Sequence, residues 1–247
     1  MKYILDIPIT YPNNIQRTYD LIIPNNNLSD IPLLIWIHGG GWIGGEKRIA
    51  NEFERFSYRG YAILSIDYRF SHEAVFPAQL EDCKMAVRWA RANAKKYGYN
   101  ADTIIVGGNS AGGHLAALLG ITNGQSKYDV GLYDDYSSDV QAVVDLFGPS
   151  DLRNLPSLQE AVNALVNSDE NLAVLASPVC HDLKNAPDFF IVHGTEDFTV
   201  PIEQSRKLKN MLCEAGVCVE YLELQGEEHG FDCVEFYNAL NKFILNI

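Results

Sequence analysis

The sequence predicts an α/β fold: an eight-stranded, mostly parallel sheet with helices on both faces and at most a small lid. Three observations carry that prediction. Two extended runs lead the chain with no helix between them. Six further short apolar runs follow, and helical stretches separate the later ones. Two of these runs end abruptly in glycine-rich turns, where a parallel sheet carries its chemistry.

The extended, β-rich runs lie at 4–9, 19–23, 33–37, 62–66, 103–106, 142–147, 189–192 and 219–224. The first two read as a meander pair. Later runs such as Leu33-Leu34-Ile35-Trp36-Ile37 are apolar throughout, as befits strands buried on both faces. The stretch 78–97 places Leu80, Cys83, Val87, Ala90 and Ala94 at helical spacing, and 202–215 and 233–245 read similarly. A polar, tyrosine-bearing connection occupies 120–139. The segment 151–178 has no obvious place in the alternation. With 158–166 as a short helix, it is either a small lid over the site or an ordinary crossover. No repeat, low-complexity tract or linker divides residues 1–247, so the expectation is one domain.

Composition narrows the function classes. With 247 residues, 47% of them hydrophobic and 21% charged, the chain can bury a sizeable core. A net charge of −13 argues against nucleic acid or an anionic membrane surface as partner. The N-terminus, Met1-Lys2-Tyr3-Ile4-Leu5-Asp6-Ile7-Pro8, has neither a signal-peptide pattern nor a run long enough to cross a bilayer. That implies a cytoplasmic protein, or one whose leader has been removed. Cys83, Cys180, Cys213, Cys218 and Cys233 make an odd count without Cys-x-x-Cys spacing, which fits free thiols and not a disulfide framework or zinc site.

Gly108-Asn109-Ser110-Ala111-Gly112 follows the apolar run Thr103-Ile104-Ile105-Val106 and precedes a helical stretch. A serine at the tip of such a strand–turn–helix is forced toward positive φ. Gly108 and Gly112, two residues to either side, remove the clash that bulkier neighbours would make. The turn lifts the Ser110 oxygen above the sheet edge and aims the Ala111 amide where negative charge is favoured. The run ending at Ile37 continues into His38-Gly39-Gly40-Gly41-Trp42, whose bare backbone can approach a substrate oxygen. Gly40, Gly41 and Ala111 are therefore the expected oxyanion-hole amides. No Gly-Lys-Ser/Thr ending is present, so a phosphate loop is disfavoured. Trp42 has two readings, a wall of the substrate pocket or a buried structural residue.

A serine nucleophile needs a base and an orienting carboxylate, expected in the chain order serine, acid, histidine. Of six histidines, only His229, in Gly226-Glu227-Glu228-His229-Gly230-Phe231, lies on a loop after the final strand and before the last helix. Asp197, after the seventh strand in His193-Gly194-Thr195-Glu196-Asp197, is the favoured acid. Its neighbour Glu196 and the earlier Asp145 and Asp151 are the other candidates.

Together these residues resemble the α/β-hydrolase superfamily, in the carboxylesterase branch related to hormone-sensitive lipase. The small acetyl-esterase, feruloyl-esterase and kynurenine-formamidase type is the nearest. The resemblance runs from His38–Trp42 to His229-Gly230-Phe231 and includes Asp67-Tyr68-Arg69, Phe76-Pro77-Ala78 and Asp82. Where the family pattern has Tyr-Arg-Leu-x-Pro-Glu, this chain has Tyr68-Arg69-Phe70-Ser71-His72-Glu73, with His72 in place of proline. The expectation is also that the long N-terminal cap of larger relatives is absent. The resemblance implies a cofactor-free, metal-free serine esterase for short-acyl esters, acetylated sugars among the candidate substrates. Ser110, Asp197 and His229 would be its triad, and Asp67, Arg69 and Asp82 would brace the glycine loop. An arylformamidase would use the same parts. A catalytically silent binding module of the same fold is the reading from another class, and the retained triad and glycines argue against it.

Overall fold

The computed structural model describes residues 1–25, 31–47, 57 and 59–247. Strands β1 (Lys2–Tyr11) and β2 (Ile15–Ile23) form an antiparallel pair joined through Pro12–Asn14. Asn13 and Asn14 turn the chain with φ of 64° and 60°, a conformation that asparagine tolerates better than most residues. There follow β3 (Leu33–Ile37), β4 (Ala62–Ile66), α1 (Ala78–Tyr97), β5 (Ile104–Asn109), α2 (Ala111–Ile121) and β6 (Ala142–Leu146). The chain then runs through α3 (Gln159–Val166), α4 (Glu170–Leu175), β7 (Asp188–Gly194), α5 (Glu203–Glu214), β8 (Val219–Leu224) and α6 (Val234–Ile244).

The eight strands make one sheet in the order β1-β2-β4-β3-β5-β6-β7-β8. Both pairings of β2 are antiparallel, and all those from β4 onward are parallel. The alternation of side chains separates two cores. Leu33, Ile35 and Ile37 point into a large cluster with residues of α1 and α2, whereas Leu34 and Trp36 join Phe236, Leu240 and Phe243 of α6 on the opposite face. The expected eight-stranded, mostly parallel sheet is thus present.

Boundaries differ from expectation where pairing overrides local signal. β1 spans Lys2–Tyr11 because its partner continues beside it, and β5 runs through Gly107 and Gly108 to Asn109 because β3 and β6 pair with that stretch. The 151–178 segment carries two short helices where one was expected. Val162 and Leu165 of α3 and Ala173 of α4 are buried in the main core. Phe76 donates a backbone hydrogen bond of 2.9 Å to the Leu165 carbonyl, tying the segment to the start of α1.

Candidate active site

Ser110 sits at the junction of β5 and α2 with φ 54° and ψ −120°. That conformation costs a non-glycine residue about 1–3 kcal/mol. It persists because the surroundings hold it: the Ser110 amide donates to the Leu146 carbonyl at 2.8 Å, and α2 is buried along its length. The flanking glycines are required by close approach. A Cβ on Gly112 would collide with the Ile37 carbonyl oxygen, and one on Gly108 would strike the Gly112 backbone and lie 2.7 Å from that same oxygen. Helix α2 thus lies against β3, next to the glycine turn.

That turn has positive φ at Gly40 (112°), Gly41 (59°) and Trp42 (61°). A Cβ on Gly39 would come within 2.9 Å of the Asn109 side-chain Nδ2 and backbone carbonyl oxygen and 3.4 Å of Ser110 Cβ, so the loop touches the serine turn. The Gly40 carbonyl accepts from the Ile43 and Gly44 amides at 3.2 Å each. Ala111 opens α2, so its N–H is among the helix's unpaired first donors. Ala161 of α3 faces Gly41, roofing the turn.

The segment after β4 holds the turn from below. Arg69 Nε lies 2.9 Å from both carboxylate oxygens of Asp82, and the Arg69 amide donates to that carboxylate at 2.8 Å. Burial pushes Asp82 up to about 6, against the lowering effect of Arg69. Tyr68 donates to the His38 carbonyl at 3.2 Å and stacks on the His38 ring, and Asp67 accepts from the Lys47 amide at 2.8 Å. Ser71 donates to the Trp42 carbonyl through both its amide and its hydroxyl.

Trp42 does not line a substrate pocket. Its side chain is fully buried, and its indole N–H donates to His114 Nδ1 at 3.1 Å. His114 Nε2 then donates to the Ala176 carbonyl at 2.6 Å. Burial lowers the His114 pKa to about 4, so the ring stays neutral, as this relay requires. Trp42 thereby ties the glycine turn to α2 and to the segment after α4. The physical reason is the positive φ at Trp42, which turns the indole inward.

His229 Nε2 lies 2.9 Å from Ser110 Oγ, and its Nδ1 lies 2.6 Å from Asp197 Oδ2. Asp197 is seated at the end of β7, with Oδ1 accepting from the Thr199 and Val200 amides at 2.8 Å each. Burial opposes its ionisation, but hydrogen bonds from His193, His229 and Val200 outweigh burial and hold it below the usual carboxylate range. Gly194 permits the meeting of the two loops, since a Cβ there would collide with the Glu227 carbonyl oxygen. The other acids are committed elsewhere. Asp151 pairs with Arg153 at 2.7 Å and Lys207 at 2.6 Å, Asp145 accepts from the Gly148 amide at 2.9 Å, and Glu196 is exposed.

Phe147 was not singled out in the sequence, yet its ring packs edge-on against the His229 imidazole at 4.6 Å and against Phe231 at 5.3 Å. No side-chain pattern announces it. Its one local mark, φ 45°, is visible only in the fold. Beside His229 opens a cavity of about 550 Å³, with Trp36, Asn109, Phe147, Phe231 and Tyr237 among its walls. Chemically, the arrangement offers a hydroxyl beside an imidazole able to take its proton, a carboxylate to stabilise the resulting imidazolium, and backbone donors beside the hydroxyl.

Sheet order, serine turn and loop placement together define an α/β-hydrolase. The chain belongs to the BD-FAE family, whose model matches residues 19–212. Esterase LipC of Mycobacterium tuberculosis is 34% identical over 217 residues, covering 83% of this chain and 54% of LipC. A truncated form of a carbohydrate esterase from gut microbiota superposes with TM-score 0.91 at 29% identity, covering 100% of this chain and 96% of that one. An acetyl ester-xyloside bifunctional hydrolase from Caldicellulosiruptor lactoaceticus gives TM-score 0.83 at 25% identity, with 98% and 92% covered. The chain spans about half the length of the curated relatives it matches, 54% for LipC and 50% for LipQ. No described helix is long and apolar enough to cross a membrane.

Proposed function

We propose that this protein is a serine carboxylic-ester hydrolase that cleaves short-acyl, acetyl-like esters of small molecules, acetylated carbohydrates first among them. The observation that carries the reading is the continuous contact from Ser110 Oγ through His229 to Asp197, at 2.9 Å and 2.6 Å. Ser110 attacks the ester carbonyl as His229 Nε2 takes its proton, and Asp197 stabilises the resulting imidazolium. The amides of Gly40, Gly41 and Ala111 receive the oxyanion, each well-placed donor contributing about 3–4 kcal/mol to the transition state. His229 then protonates the departing alcohol, and water, deprotonated by the same imidazole, releases the acid from the acyl-enzyme. The net charge of −13 favours departure of that carboxylate product.

Two observations support the carbohydrate side. The cavity beside His229 has aromatic walls in Trp36, Phe147, Phe231 and Tyr237, which suit the apolar face of a sugar ring. Neighbours of the same fold carry the names carbohydrate esterase and acetyl ester-xyloside hydrolase.

A turnover panel tests the reading: p-nitrophenyl acetate, butyrate and octanoate, an acetylated xylo-oligosaccharide, and N-formylkynurenine. The expected result is fast deacetylation of the oligosaccharide and a fall in kcat/KM from acetate to octanoate. Dominant cleavage of N-formylkynurenine would replace the esterase reading with an arylformamidase. Silence of folded protein on every substrate would leave a binding module.

A further inference from the structure

The catalytic acid has a second histidine at its back. His193, the penultimate residue of β7, is wholly buried, and its Nε2 lies 3.2 Å from Asp197 Oδ2, the same oxygen that receives His229. The other neighbour of that nitrogen is the Val200 carbonyl at 2.8 Å. A carbonyl and a carboxylate both only accept, so Nε2 must carry the proton. In the neutral ring, Nδ1 is then an acceptor, and the hydroxyl of Ser205, buried on α5, lies 2.7 Å away to donate. The ring's tautomer is thus set by partners on both sides.

We propose that His193 is a positioning residue for the reaction, held by Ser205 and acting through Asp197. The inference rests on the triad reading above. Asp197 Oδ1 is already fixed by the Thr199 and Val200 amides, leaving Oδ2 to serve the base. Oδ2 thus has the partly exposed His229 on one side, its side chain 23% exposed, and the fully buried His193 on the other, so its surroundings stay fixed on the side of His193. The buried Nε2–H of His193, which donates to the Val200 carbonyl at 2.8 Å, also lies 3.2 Å from Oδ2 and offers it a second, longer contact that stays in place while His229 gains and loses its proton. It also takes up part of the carboxylate's charge in a site that water does not reach. The line Ser205–His193–Asp197–His229–Ser110 runs from α5, through the ends of β7 and the loop after β8, to the serine turn. Phe147 packs on both rings, edge-on at 6.4 Å to His193 and 4.6 Å to His229.

The test is a double-mutant cycle on p-nitrophenyl acetate, with folding of each variant checked by circular dichroism and thermal unfolding. His193→Phe keeps the ring but loses the donor, and should lower kcat about 10- to 100-fold, the usual range for a hydrogen bond to a charged group. KM should stay within about threefold of the parent protein, because the loss lies in the reacting groups and not in ground-state binding. His193→Gln, which retains an N–H near the Nε2 position, should recover most of that loss. In the Asp197→Asn background the same His193→Phe change should cost less than about threefold, since its route to the reaction is gone.

Losses that multiply fully in the double variant, or a His193→Phe protein with unchanged kcat, would reduce His193 to core packing and overturn the proposal. Should His193→Phe not fold, Ser205→Ala carries the cycle. It should lower kcat about threefold in the parent and not at all beside Asp197→Asn, and no loss in the parent overturns the proposal. If Ser110→Ala and Asp197→Asn themselves leave kcat intact, the triad reading has failed. If they abolish it and only the coupling is missing, the failure belongs to His193 alone.

Discussion

The two halves of the candidate site are built by different physics. The nucleophile half is local and steric. Ser110 with φ 54° and the collisions that exclude side chains at Gly108 and Gly112 leave the chain little choice of path. The acid–base half is assembled from a distance by polar contacts: His229 stands 32 residues from Asp197 and 119 from Ser110. The first half is held in shape by a close-packed backbone, the second by a buried carboxylate receiving donors from two loops and β7. Substitutions in the nucleophile half should therefore act on folding or on chemistry outright, while those in the other half should act through orientation and charge.

The largest expected effect is that of Ser110→Ala, which should lower kcat/KM by about 10⁴-fold or more on p-nitrophenyl acetate. Its melting temperature should change little, because the turn is determined by the glycines and not by the hydroxyl. A steep fall in melting temperature would show instead that the hydroxyl helps to hold the elbow. Next comes Asp197→Asn, expected to lower kcat about 10³- to 10⁴-fold through the wrong imidazole tautomer. Asp151→Asn should leave kcat within about threefold, its charge being spent on Arg153 and Lys207. A larger loss with Asp151→Asn would move the acid to the end of β6 and dissolve the contrast between the two halves.

Asp145 sharpens the comparison, since it lies buried under the elbow with no role in the proposed chemistry. Burial raises its pKa to about 7, from an ordinary value of 3.8. Between those two values the folded state binds the proton that the unfolded state has released, so stability falls as pH rises toward 7 and the penalty stays full above it. Asp145→Asn removes this titration. Its stability gain over the parent in urea denaturation should be about 3 kcal/mol larger at pH 8 than at pH 5. A gain independent of pH would mean that the carboxyl does not titrate in this range.

The smallest effect expected is that of Trp42→Phe. Losing the bond to His114 should cost about 1 kcal/mol of stability, with KM unchanged on p-nitrophenyl esters. A several-fold rise in KM at unchanged stability would return Trp42 to the wall of the pocket.

What was legible in the sequence and what was not divide along the same line. Gly108, Ser110, Gly112 and Gly39–Gly41 were legible because glycines around a single serine, placed where an apolar run stops, have few other uses. His229 was reached by chain order alone, and Asp197 only by preference over three other acids. The Asp67–Arg69–Asp82 brace was also legible, yet the fold adds Lys47, Tyr68 and Ser71 to it. Trp42 kept two readings because a tryptophan beside a glycine turn gives no sign of which way it faces. Its positive φ and the His114 acceptor, 72 residues away, decide that. His193 and Phe147 went unnoticed for a related reason: their partners lie on other elements.

By itself, the sequence determined the order of the eight strands along the chain, the two glycine turns, and the serine at the tip of the second. Each of these follows from backbone sterics and apolar periodicity within a few residues. Tertiary structure decided which carboxylate meets His229, where Trp42 faces, and that His193 shares an oxygen of Asp197. Those outcomes depend on strands β5, β6, β7 and β8 lying side by side, so that loops far apart in the chain end within hydrogen-bond reach at one edge of the sheet.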